Sequence, residues 1–193
     1  MKKLFCWSVL SALVLTGCAG PFSRPSKLMQ KTSMGLQAPP DGKALVLIHR
    51  PRQAQGSGLY TGVWDSHDFI ADLGNGHSVA YICDPGDHYF INRSVERVGV
   101  VEANLLPDQT YALWIDICGQ WVASFQLEPV KLGDRSARKK VERCEKENIW
   151  VTRGTGAAAH EAARQNEIDL ILKDFVHGPK QDRVRHLGPN DHR

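Results

Sequence analysis

From Ala44 to about Glu128, short β-branched and aromatic runs alternate with turn residues every eight to twelve positions or so. That rhythm confines such a chain to an all-β sandwich or barrel. Strands are predicted over 44–50, 59–65, 68–73, 77–83, 88–92, 98–104, 109–117 and 120–128. The breaks between them have mechanisms. Asn75-Gly76 supplies the positive φ angles of a tight hairpin turn. Asp84-Pro85-Gly86-Asp87 offers a fixed φ at Pro followed by a positive φ at Gly, and Asp65-Ser66-His67-Asp68 is a further polar break. Tyr111, Leu113, Ile115 and Ile117 alternate with Ala112, Trp114 and Asp116, and Trp121, Ala123, Phe125 and Leu127 repeat the pattern. One face of each strand is therefore apolar, and each large side chain buried there contributes roughly 1.5–3 kcal/mol.

Beyond Pro129 the apolar period lengthens. Asp134 is placed to cap a helix running to about Asn148, with Ala137, Val141 and Cys144 on one stripe. A second helix, about Ala157 to His177, gathers Ile168, Ile171, Leu172 and Phe175 and is ended by Gly178-Pro179. Both are amphipathic, which suits them to covering an open sheet face or edge. The expectation is a mainly β protein: an antiparallel β-sandwich of about seven to eight strands with two C-terminal α-helices. The predicted divisions are 1–17, 18–41, 42–129 for the sandwich, 130–178 for the helical extension and 179–193 for an irregular tail.

The first two divisions come from the N-terminal region. Lys2 and Lys3 precede an apolar run, Leu4 to Leu15, and small residues follow, the layout of a secretory signal. Leu15-Thr16-Gly17-Cys18 resembles the lipobox of bacterial lipoproteins. That resemblance implies cleavage between Gly17 and Cys18 and acylation of Cys18, which would attach the chain to a membrane through lipid. The run is too short for a transmembrane helix of ~20 residues, whereas two or more acyl chains anchor stably. Ala19 stands where Asp, in Gram-negative lipoproteins, commonly causes inner-membrane retention, so the resemblance favours an outer-membrane anchor facing the periplasm. Residues 18–41, with Pro21, Pro25, Pro39 and Pro40, read as a tether.

The formal charge of +3 hides segregation. Residues 18–40 carry Arg24, Lys27 and Lys31 with no acid; 41–129 carry five basic against eleven acidic residues; 130–153 carry eight against four. Such runs are either solvated faces, a basic helix lying on an acidic sheet, or, for the linker, a contact with anionic headgroups. No segment joins a strong basic excess to interleaved aromatics, which argues against nucleic acid as a partner. With Cys6 in the leader and Cys18 acylated, Cys83, Cys118 and Cys144 remain, an odd count in an oxidising compartment. A Cys83–Cys118 disulfide is the expected pairing.

Taken together, Gly42-Lys43-Ala44 leading through Leu45–Ile48 to His49-Arg50-Pro51, then Gly56-Ser57-Gly58, Asn75-Gly76 and Pro85-Gly86-Asp87-His88, resembles the bacterial lipoproteins of domain of unknown function family 2846. The likeness covers about residues 42–128 and shares its turn grammar with PEGA and transthyretin-like domains. It departs at Asp65-Ser66, His77, Asp84-Pro85 and Asp108-Gln109-Thr110-Tyr111. The family has no assigned activity, so the resemblance implies a sandwich and a lipid anchor, and no functional residues.

Candidate chemistry is sparse. His67, His77 and His88 stand among Asp68, Asp72, Asp84 and Asp87, a density that raises a metal site at one sandwich end. Against it, alternate strand residues point to opposite faces, and Asp84, Asp87 and His88 belong to a turn. There is no Gly-x-Ser-x-Gly elbow and no His-Glu-x-x-His; His160-Glu161 lacks its second histidine, and Gly154-Thr155-Gly156 lacks the Lys of a phosphate loop. An enzyme is not expected, nor a cofactor. Trp114, opposite the apolar side of its strand, is either covered by a helix or offered to a partner. The reading is a periplasm-facing binding or assembly module for an envelope protein or small ligand; the alternatives are a metal-dependent hydrolase and a passive structural component.

Overall fold

The computed structural model describes residues 27–33, 38–94, 97–118 and 124–193. The leader, Gly17, Cys18 and Trp121 lie outside them. Eleven strands are described: β1 (Met29–Lys31), β2 (Ala44–Arg50), β3 (Thr61–Asp65), β4 (Asp68–Leu73), β5 (His77–Cys83), β6 (Gly86–Arg93), β7 (Val98–Leu105), β8 (Thr110–Cys118), β9 (Ser124–Val130), β10 (Ile149–Arg153) and β11 (Arg185–Leu187). Two helices, α1 (Arg135–Glu147) and α2 (Ala157–Val176), flank β10, and a 3-10 turn spans Gln181–Arg183. Among the described residues no helix is long and apolar enough to cross a membrane.

The strands form two sheets, ordered β1-β10-β5-β2-β8-β9 and β11-β7-β6-β3-β4. Both are mixed, which corrects the antiparallel expectation and its strand number. β2 runs parallel to β8, β10 to β5, and β11 to β7. Parallel neighbours need long crossovers, and the chain provides them: β3 to β7 intervene between β2 and β8, and β6 to β9 with α1 intervene between β5 and β10. The chain does turn at Asn75-Gly76, but of the two only Gly76 has a positive φ, +70°, and β4 and β5 belong to different sheets, so it is a corner between sheets and not the expected hairpin.

Ala44–Arg50 is buried along its whole length because β2 is covered on both faces. Val46 and Ile48 face the core between the sheets with Phe90, Leu113 and Leu127. Leu45 and Leu47 turn the other way, against Trp150. A strand wrapped on both sides reads as an unbroken apolar run, as Ala-Leu-Val-Leu-Ile does here. Asn92, fully buried on β6, stitches the sheets together: its amide donates to Phe125 O at 3.0 Å and accepts from Leu127 N at 2.9 Å.

Each helix seals one outer face, giving four layers. α1 begins as the sequence predicts, with the Asp134 carboxylate accepting from Ser136 N at 2.6 Å, and Val141 packs on Ala112 and Val130 of the six-stranded sheet. α2 lays Ile168, Ile171 and Phe175 on Trp64, Phe69 and Ile91 of the five-stranded sheet. Three short strands were not predicted. Met29–Lys31, inside the segment read as tether, pairs antiparallel with β10; Ile149–Arg153 lies inside the helical extension; Arg185–Leu187 lies inside the tail read as irregular. All are edge or near-edge additions whose pairing depends on a neighbour remote in sequence. Gly154-Thr155-Gly156 finds its purpose here. Gly154 N–H donates to Leu28 O at 2.6 Å, and a Cβ on Gly154 would meet Lys27 O at 2.8 Å, so only glycine lets residues 27–28 lie against the start of α2.

Candidate functional site

The polar groups that the sequence singles out are placed apart. His67, in the turn between β3 and β4, bonds through Nε2 to Asp169 of α2 at 2.8 Å on the protein surface. His88 faces inward, its Nδ1 2.7 Å from buried Asp65 and its Nε2 2.8 Å from Asp84 O, with its ring stacked on Phe90. His77 stands at the other end of the sandwich, where its Nδ1 accepts from Gly74 N at 3.2 Å. The proposed convergence of the three histidines is thus corrected: two share an end but face different layers. Among the described residues no group of three or more His, Cys, Asp or Glu is arranged to hold a metal ion.

The hydrogen bond that His88 donates to the Asp65 carboxylate raises its pKa above the ordinary value, against a lesser opposing effect of burial. Asp65 also accepts from Tyr81 O–H at 3.0 Å, and burial with the nearby carboxylate holds that phenol well above its usual range. Asp65 thus ties β3 to Tyr81 of β5 and His88 of β6 at one end of the sandwich.

The cysteines are free: Cys83 and Cys144 are buried and Cys118 is half-buried. Cys83 pairs with Ala44 at the start of β2, while Cys118 lies beyond Trp114, the partner of His49 near the end of β2. That register separates them by about 30 Å at roughly 3.3 Å per residue, far beyond disulfide reach. Burial pushes the Cys83 thiol up to about 12, the inert side of cysteine chemistry. Trp114 is half-buried beside Ala137 and Val141, so α1 covers one side of it.

Two buried basic residues were not singled out by the sequence, although both lie in the β2 run. Arg50, 1 % exposed, donates to Leu59 O, Leu73 O and Gly56 O at 2.6–2.7 Å and lies 4.1 Å over the Phe125 ring. Its guanidinium fastens the 51–60 loop to the sandwich; desolvation lowers its pKa to about 10, so it stays charged at neutral pH. His49, fully buried on the outer face under α1, bonds through Nδ1 to Ser78 Oγ at 2.8 Å and meets Trp150 edge-on. Burial lowers its pKa to about 3, with Arg193 adding to the effect, and it is neutral.

A concavity of about 360 Å³ opens beside Trp114, between β8, β9 and the start of α1; a wider one lies elsewhere. Along the C-terminal half of α2, where β7, β9 and the 3-10 turn approach it, runs a groove of about 660 Å³, within the ordinary range for ligand sites. Its apolar wall includes Ile171, Phe175 and Leu170, the last 66 % exposed and the most exposed large apolar side chain among the described residues. Its rim is cationic. Lys180 pairs with Asp174 at 2.8 Å and Arg185 with Glu128 at 2.7 Å, whereas exposed Arg97 and Arg183 have no side-chain partner among the described residues. A smaller cavity of about 140 Å³ lies beneath the other half of α2, where Glu167 bridges Arg93 and Arg164 beside Trp64 and His160. Glu167 forms part of both walls, and its two guanidinium partners hold its carboxyl below the usual range despite partial burial.

The groove escapes sequence reading because it is assembled from four separated segments. The one legible sign was the alternation of Leu170 with Ile171 in α2, which puts a leucine outside the buried stripe. Compared with known proteins, the chain matches no family model and no curated protein.

Proposed function

We propose that this chain is a lipid-anchored lipoprotein of the bacterial cell envelope, held through acylated Cys18 on the periplasmic face of the outer membrane, and that it works as a binding or assembly module. The lipobox-like Leu15–Cys18 supports the anchor, and the turn pattern over residues 42–128 supports kinship with domain of unknown function family 2846. The observation that carries the binding role is the α2 groove, whose lining joins an exposed leucine to two guanidinium groups that form no ion pair with a described residue. A ligand with carboxylate or phosphate groups beside an apolar side chain matches both features. Binding is preferred to catalysis because the described lining offers apolar and charged side chains for contact and no serine, threonine, cysteine or histidine.

The test is crosslinking in cells from a photoreactive residue in place of Leu170, followed by mass spectrometry, with an Arg97→Glu/Arg183→Glu chain alongside. A stoichiometric envelope partner or ligand captured by the wild-type groove and lost from the charge-reversed chain supports the reading. Capture of nothing by either chain overturns it in favour of a passive structural part.

A further inference from the structure

The surface of α1 carries a set of cations of which the fold engages Arg138, whose Nε donates to Leu132 O at 3.0 Å. Arg135, Arg138, Lys139, Lys140, Arg143 and Lys146 are all exposed, and none forms an ion pair with a described residue. Arg135, Lys139, Arg143 and Lys146 follow one another at spacings of four, four and three. They form one stripe, directly opposite the buried Val141 and Cys144. Like charges at this spacing cost an isolated helix about 0.2–0.5 kcal/mol per pair, and Arg135 stands in the first turn, where the helix dipole disfavours a cation. Glu142 is the sole acid within the stripe. A row of exposed cations that forms no ion pair with a described carboxylate is suited to an anionic surface outside the molecule.

Which anionic surface follows from where the chain enters the fold. Residues 27–31 are fastened to β10 and to Gly154, at the edge of the same six-stranded sheet that α1 covers. Nine residue steps join Cys18 to Lys27, a span of at most about 30 Å. Between β1 and β2, beneath α1, lie three strand spacings, about 14 Å. The groove, by contrast, lies on the opposite sheet, towards the far end of α2 from the entry point at Gly156.

We infer that the α1 stripe docks this domain on the anionic headgroups of the membrane that anchors it, so that α2 and its groove face away from the bilayer. This rests on the lipidation of Cys18 for its choice of surface. Contact is electrostatic only, because the apolar side of α1 is already packed on the sheet. Its strength therefore falls as salt shortens the Debye length from about 10 Å at 0.1 M.

The experiment uses the chain from residue 18 onward with Cys18→Ser, which contains every described element and no lipid. It is mixed with vesicles of pure phosphatidylcholine or of phosphatidylcholine with about one third phosphatidylglycerol, at low and high salt. The expected result is binding to the anionic vesicles alone, lost at high salt. A chain with Arg135→Glu, Lys139→Glu and Arg143→Glu should bind more than tenfold weaker, at about fivefold per cation. An unchanged far-ultraviolet spectrum and thermal midpoint show that the variant is folded, and an Arg135→Gln/Lys139→Gln/Arg143→Gln chain serves if it is not. Equal binding to both vesicle types, no binding, or equal binding by the variant overturns the inference, including the case in which the stripe serves an acidic protein. Palmitate labelling of the wild-type chain in cells tests the anchor separately: unlabelled chain whose residue-18 form still binds anionic vesicles overturns the anchor and leaves the face.

Discussion

The two helices perform the same structural task on opposite faces and spend their charges differently. Along α2, Arg153 pairs with Glu161, Arg93 and Arg164 with Glu167, Asp169 with His67, and Lys180 with Asp174. Along α1, Glu145 reaches the C-terminal Arg193 at 2.7 Å, and the helix's own cations meet no described carboxylate. Exposed pairs of the α2 kind are worth only about 0–1 kcal/mol each, so they do little for stability. What they do is neutralise a surface, which leaves Arg97 and Arg183 as the uncompensated charges in the groove. The seats differ as well. α2 sits on aromatic side chains, Trp64 and Phe69, whereas α1 sits on Ala112, Val130 and Leu132.

That contrast predicts unequal costs of truncation. Phe175→Ala removes the aromatic plug between α2 and the five-stranded sheet and should cost about 3–5 kcal/mol; Val141→Ala beneath α1 should cost about 2 kcal/mol. Urea denaturation of the two variants compares them directly. Equal costs would show that the aromatic seat gives α2 no energetic advantage.

Acid should act chiefly from beneath α1. His49 has a folded pKa of about 3 against 6.5 unfolded, so below pH 6.5 the unfolded state binds the extra proton. Stability from its neutral burial is complete above pH 6.5 and is lost progressively as pH falls towards 3, by about 5 kcal/mol in all. His49→Gln should flatten that slope in denaturation curves collected across the range. His88 has the opposite sign. Its pKa is raised by Asp65, so its contribution is present below pH 6.5 and declines as pH rises through the folded value. A His88→Gln chain should lose that decline and keep the acid slope of His49.

The smallest effect concerns thiols. Because Cys83 and Cys118 lie at opposite ends of the sheet, dithiothreitol should leave the thermal midpoint unchanged, and alkylation after unfolding should label Cys83, Cys118 and Cys144 without prior reduction. A midpoint that falls with reductant would mean that the strand register around one of them is wrong.

Much of this fold was legible. β2, β4 and β5 fall on the predicted residues, and α1 (Arg135–Glu147) lies between its caps Asp134 and Asn148 as capping and period require. These are local properties: alternation, turn chemistry and capping act between residues a few positions apart. The Cys83–Cys118 pairing and the histidine cluster failed for one reason. Proximity in sequence, or placement at strand ends, carries no information on which end or which sheet face a residue occupies. Arg50 and His49 show the converse. Their polar chemistry follows a run of five apolar residues, and only the closure of two layers around β2 makes one a buried cation held by three carbonyls and the other a neutral imidazole.

By itself, the sequence determined the eight strands from β2 to β9, the helices with their apolar stripes, and the density of cations along α1, because periodicity and charge are written residue by residue. The tertiary structure alone decided that strands from distant segments would lie parallel, that glycines 154 and 156 would clasp residues 27–28, and that α2, β7, β9 and the C-terminal turn would enclose a groove. Those outcomes depend on which buried surfaces find one another across long stretches of chain, and that choice belongs to packing as a whole.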